Sequence, residues 1–219
     1  MVLMIGLATL AALTMSLPTS KLDTPPSEAP PFFKGLGGFH RKVRTTNPLA
    51  QKYFDQGMAL LYAFHKGEAA KSFQYATHLD PNCTMAWVGL SFAVGPDINV
   101  PAIEEARSKT GFEAAGKAGS SAVTELEKQL AAAVAKRFFN PAPADRGDLD
   151  KSFATAMRDV WHKHRKDADV GSWFAESMLD LSPWNQWKPD GSPLPGTEEV
   201  VSTLKEVLAF APKHPMANH

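Results

Sequence analysis

The sequence predicts an all-α protein made of stacked pairs of antiparallel helices. Apolar residues recur through most of its 219 positions at the three-and-four spacing of one helix face, and Pro, Gly and Asn fall at the ends of these runs. No stretch alternates apolar and polar residues as a half-buried strand does. A chain of this length buries a sizeable core, and 44% hydrophobic against 21% charged residues places it in the ordinary globular class. Lys plus Arg and Asp plus Glu both number 23, so the basic excess of a phosphate-backbone binder is lacking and no nucleic-acid partner is expected. The single cysteine, Cys83, excludes an internal disulfide framework and reads as a small apolar packing residue.

The chain opens on MVLMIGLATLAALTM, an apolar run of roughly fourteen residues that is too short for a stable membrane span and matches a secretory h-region. Residues 1–20 therefore read as a signal peptide, although no Lys or Arg precedes the run and SLPTS offers no small-x-small cleavage site. This reading places the protein outside the cytoplasm, in the periplasm or cell envelope; if the run is instead a buried tail, the protein is cytoplasmic. Residues 21–34, rich in Pro, Ser and charge, read as an exposed linker, and the folded domain is expected over 35–219.

Asn47 followed by Pro48 is a helix start, because Asn caps free N–H groups and Pro at the first position loses no hydrogen bond. Phe54, Met58, Leu61 and Tyr62 then recur at helical spacing until Gly67 breaks the run. A second helix runs through Ala69, Phe73, Ala76 and Leu79 and stops at LDPN, since Pro81 disfavours helical geometry at Asp80. His78 falls on its outer face. A third begins near Trp87. After GPDINVP the segment FEAA resumes the pattern with Phe112 and Ala115. SSAVTELEKQLAAAVAKRFF carries Val123, Leu126, Leu130, Val134 and Phe138 inward, with its serines as caps, and NPAPADRGD ends it. LDKSFATAMRDVWHKH repeats the pattern from Leu149 to Trp161, its histidines His162 and His164 complementing the helix C-terminus. DVGSWFAESMLDL is a shorter helix. A long polar loop leads to TEEVVSTLKEVLAFAP, with Thr197 as cap and Val200, Leu204 and Val207 inward.

The first helix pair resembles a tetratricopeptide (TPR) repeat. Tyr53 stands at the aromatic start, Gly57 at the small position, Ala69, Phe73 and Ala76 at the inter-helix positions and Pro81 at the end; Trp87, 34 residues after Tyr53, restarts the pattern with Ser91 at the small position. The second repeat is degenerate. This resemblance implies a TPR-like helix-turn-helix solenoid, a right-handed stack in which small residues allow close helix approach. The segments PLAQKYFDQGMALLYAF, FAESMLDLSPWNQW, DGSPLPGTEEV and KHPMANH are also similar to a bacterial group of exported or functionally unassigned TPR-containing proteins. In that group the last motif runs on into a helix with another histidine and a glutamate, so the resemblance implies a domain that continues beyond 219. Relatives carry Asn-His where this chain has His65 and Lys66, and no histidine role attaches to position 66.

Two sets of residues carry chemistry. His214 and His219, five apart around Pro215, read either as a capped helix start or as two ligands of a divalent transition metal, with Glu176 and Asp180 as further donors. Glu176 and Asp180 are four apart and share a helix face, so they form a ligand pocket with nearby tryptophans or pair with Lys or Arg from a neighbouring helix. Trp184 and Trp187 suit a small-molecule pocket. Asp97 and Asn99 in GPDINVP suit recognition by an insertion loop, or simply turn the chain. No P-loop, dinucleotide glycine motif or Ser-His-Asp order is present. The expected function is a TPR-type binding or scaffold module for protein or peptide partners; the alternative is a metal-dependent enzyme or metal-binding protein whose His/carboxylate site is completed by residues beyond 219.

Overall fold

The computed structural model describes residues 28–219. The signal-like segment at 1–20 lies outside them. The described residues form nine helices and no strand: α1 (Pro48–Tyr62), α2 (Lys66–Leu79), α3 (Thr84–Val94), α4 (Glu105–Ser121), α5 (Glu125–Ala135), α6 (Gly147–Lys163), α7 (Ala168–Leu179), α8 (Thr197–Phe210) and α9 (Pro215–Asn218). None of them is long and apolar enough to cross a membrane.

Each helix packs on the next in the chain. Beyond these neighbours, α1 meets α3, α3 meets α5, and α9 touches α1, α7 and α8. The ring of Trp173 on α7 stacks on Phe92 of α3 with centroids 4.9 Å apart. The segment around α7 to α9 therefore packs back towards the first helices.

The starts of α1 and α9 follow the sequence: the Asn47 side chain accepts from the Leu49 and Ala50 N–H groups, and His214 Nδ1 accepts from Ala217 N–H. Three details differ from expectation. Thr124, not a serine, opens α5 in a capping box with Glu127. Gly196, at φ 90°, precedes α8, and the Thr197 hydroxyl donates instead to the Gln186 carbonyl at 2.7 Å. Helix α5 ends at Ala135, and the following turn carries Arg137 into the interior.

Phe73 is the fully buried pin between the first three helices. A Cβ on Gly57 of α1 would lie 2.7 Å from its ring, and one on Gly89 of α3 only 2.5 Å. Both helices thus meet the ring with bare backbone. Ser91, expected to be the small contact of α3, is buried and donates its hydroxyl to the Trp87 carbonyl. Cys83 is buried, and its desolvated thiol is pushed up to about 11, so it remains protonated at neutral pH.

Candidate functional site

Residues 30–43 pack along α1, Pro30 at Tyr53 and Phe39 at Tyr62, before the chain returns to place Val43 at Gln51. The Tyr53 hydroxyl donates to the Pro30 carbonyl at 2.8 Å. The Gln56 amide bonds the backbone of this segment in both polarities, donating to the Pro31 carbonyl at 3.1 Å and accepting the Phe33 N–H at 3.0 Å. Ser72 of α2 fixes that amide by accepting a second N–H from it at 3.1 Å. Phe32 stacks on Tyr53 with centroids 4.5 Å apart, and Tyr75 meets Tyr53 edge-on from α2. These contacts address backbone and one aromatic ring, the means by which an extended peptide is held irrespective of most of its side chains. Phe32 and Phe33 nevertheless remain 51% and 41% exposed. A cavity of about 290 Å³ lies between this segment and Lys52, Asp55, Gln56 and Ala59 of α1. Pro30–Phe33 lies inside the stretch expected to be an exposed linker.

At the other end of α1 a buried polar network joins four elements. Asp169, at the start of α7, accepts from Arg41 at 2.5 Å, from His214 Nε2 at 2.9 Å and from the Tyr62 hydroxyl. Arg41 also forks onto Asp167 with two bonds of 2.7 Å. Burial works to raise the Asp169 carboxyl, but the His214 bond, the Arg41 charge and the Tyr62 hydroxyl outweigh it and hold the group below the usual carboxylate range. Ser172 Oγ lies 3.2 Å from His214 Nδ1, so the fold assembles Ser, His and Asp within hydrogen-bond reach although they are not in sequence register. Its chemistry is that of a lock: Nδ1 already accepts the Ala217 N–H, and the Ser172 hydroxyl donates to the Ala168 carbonyl at 2.8 Å.

The residues considered for a metal are distributed differently. His214 belongs to the lock. His219 Nδ1 donates to the Tyr62 carbonyl at 3.0 Å, and its ring meets Phe64 edge-on. Asp180, just past the end of α7, accepts at 2.6 Å from Arg137 in the turn after α5, whereas the expected partner was a Lys or Arg on a neighbouring helix. Glu176 lines a cavity of about 140 Å³ that His219 also borders. Among the described residues, no three His, Cys, Asp or Glu side chains converge as metal ligands.

Asp97 is buried in its loop, its Oδ1 accepting the Asn99 and Val100 N–H groups and its Oδ2 accepting from Lys66 at 2.9 Å. Asn99 is exposed. Trp184 and Trp187 stand 73% and 55% exposed on the α7–α8 loop and line none of the cavities named above. Sequence reasoning missed Arg41, Tyr62, Asp169 and Arg137, which lie far apart in the chain. Their only local signal was polarity beside apolar helix positions, and that pattern is equally common on solvated faces.

No protein-family model, no curated protein and no solved structure matches the chain.

Proposed function

We propose that this protein is a TPR-like helical binding module that holds extended peptide segments of protein partners. The supporting observation is that α1 and α2 already hold such a segment, Pro30–Phe33, through side chains aimed at its backbone. The exposed phenylalanines and the cavity beneath them leave room for a better-fitting occupant. Close packing of α1, α2 and α3 around Phe73 supplies the rigid platform that such recognition needs.

A free peptide must compete with a tethered one, whose effective concentration is of millimolar order. The test therefore uses the full chain with Phe32→Ser and Phe33→Ser, which weaken the resident segment while leaving the helices intact. A fluorescent peptide with the sequence of residues 28–38 is titrated and its anisotropy followed. Saturable binding is expected, and adding Gln56→Leu weakens it by about tenfold, about 1.4 kcal/mol, through the loss of two peptide hydrogen bonds. Absence of binding, or binding indifferent to Gln56→Leu, contradicts the proposal.

A further inference from the structure

The cavity of about 140 Å³ between α7, α8 and α9 shares no lining residue with the groove that holds Pro30–Phe33. Its walls are apolar apart from Ser172, Glu176 and His219, and Phe64 closes one side. Phe64 has a left-handed backbone, φ 57°, an uncommon conformation for a bulky residue. A volume of this size takes a group comparable to a benzene ring.

Glu176 is the unusual member of this wall. Its carboxylate accepts no hydrogen bond from any described residue. The charges it feels are Arg137, Lys66, Asp97 and Asp180, so two cations stand against three carboxylates, Glu176 included. Lys66 is engaged by Asp97 and the Gly95 and Pro96 carbonyls, and Arg137 by Asp180 and the Pro96 carbonyl. The adjacent Arg146 and Asp150 pair with each other. Among these carboxyl groups Glu176 is the one without an ion pair to any described residue, and it is the one that borders the cavity.

We infer that the cavity is a binding site for a small organic ammonium compound, whose charged nitrogen sits on Glu176 and whose compact apolar body fills the space beside Phe64. Burial favours the protonated form of Glu176, so the docking ammonium displaces that proton to solvent and pairs with the carboxylate so formed, while the Phe64 ring beside it adds apolar contact. A metal ion is disfavoured as the occupant, because among the described residues no three His, Cys, Asp or Glu side chains converge. This site stands independently of peptide binding.

Benzylamine, cationic at neutral pH, and benzyl alcohol, its neutral counterpart of similar shape, are titrated into the unaltered full chain by calorimetry. Saturable benzylamine binding at least about tenfold tighter than benzyl alcohol is expected, the worth of one charged hydrogen bond. Glu176→Gln removes that preference while Ala175→Leu, which fills the cavity, abolishes binding of both. Equal affinities, no binding of either compound, or a preference that survives Glu176→Gln overturns the inference. The comparison of the two compounds on the unaltered protein decides the matter even where a variant fails to fold.

Discussion

Asp169 is the residue on which the most distant parts of the chain depend, since Arg41, Tyr62 and His214 all direct their polar atoms at one carboxylate. Burial of a charge is tolerated only when it is paired and hydrogen-bonded, and here each oxygen has such partners. Asp169→Asn removes the charge and turns one of the two acceptor oxygens into an N–H donor, so either the Arg41 bond or the bonds from His214 and Tyr62 are lost. We expect a loss of about 3 kcal/mol in urea unfolding at neutral pH. The pH dependence has a definite sign. The folded-state carboxyl is held low, so its contribution is complete above the unfolded value of about 3.9 and is lost as pH falls through the folded one. The wild type should therefore lose stability below about pH 4 more steeply than the Asn variant. At this scale the sequence was only partly readable: His214 was expected as a helix start, whereas nothing local indicated its bond to a carboxylate 45 residues away.

Among elements, the packing of α1, α2 and α3 was the most legible part, because small and aromatic residues at helical spacing have few other uses. Ala69, Phe73 and Ala76 are fully buried, Gly57 meets the Phe73 ring, and Gly89 rather than Ser91 gives α3 its close approach to it. Gly89→Ala forces a methyl group against a buried ring and is expected to cost about 1–3 kcal/mol, partly offset by the better helix propensity of Ala. Combining it with Phe73→Leu, which shortens the opposing side chain, should cost less than the two changes summed, a coupling that a double-mutant cycle measures. Caps were less legible. Several Ser and Thr residues precede α5, and only tertiary placement selects Thr124. At the end of α7, burial raises both Glu176 and Asp180, helped by the Asp97 charge on the first and the Glu176 charge on the second, and Asp180 reaches about 8 despite the opposing Arg137 charge. Unfolded, these groups ionise near pH 4, so between that value and about 8 the folded state binds more protons. Stability should fall as pH rises through this window, by at most about 1.4 kcal/mol per unit for each retained proton, and Glu176→Gln should flatten the decline in urea titrations.

For the whole molecule, the all-helical class was readable from periodicity, and the signal-like segment lies outside the described residues. What periodicity could not reveal is where a non-helical segment lies. Pro, Ser and charge made residues 21–34 read as a linker, yet Pro30–Phe33 is held by α1 because Tyr53, Gln56 and Ser72 place polar atoms at the spacing of its backbone. Gly35 and Gly37, at φ 83° and 76° with open space around them, let the chain turn between this segment and the anchored residues from His40 onward. The molecule thus combines a fixed helical platform with a tethered extended segment. The measurement that tests this most directly is amide chemical-shift mapping of the Phe32→Ser, Phe33→Ser chain with the peptide of residues 28–38. Perturbations are expected to concentrate on α1 and α2 around Tyr53, Gln56, Ser72 and Tyr75. Perturbations concentrated on α6 to α8, or none at saturating peptide, would contradict it.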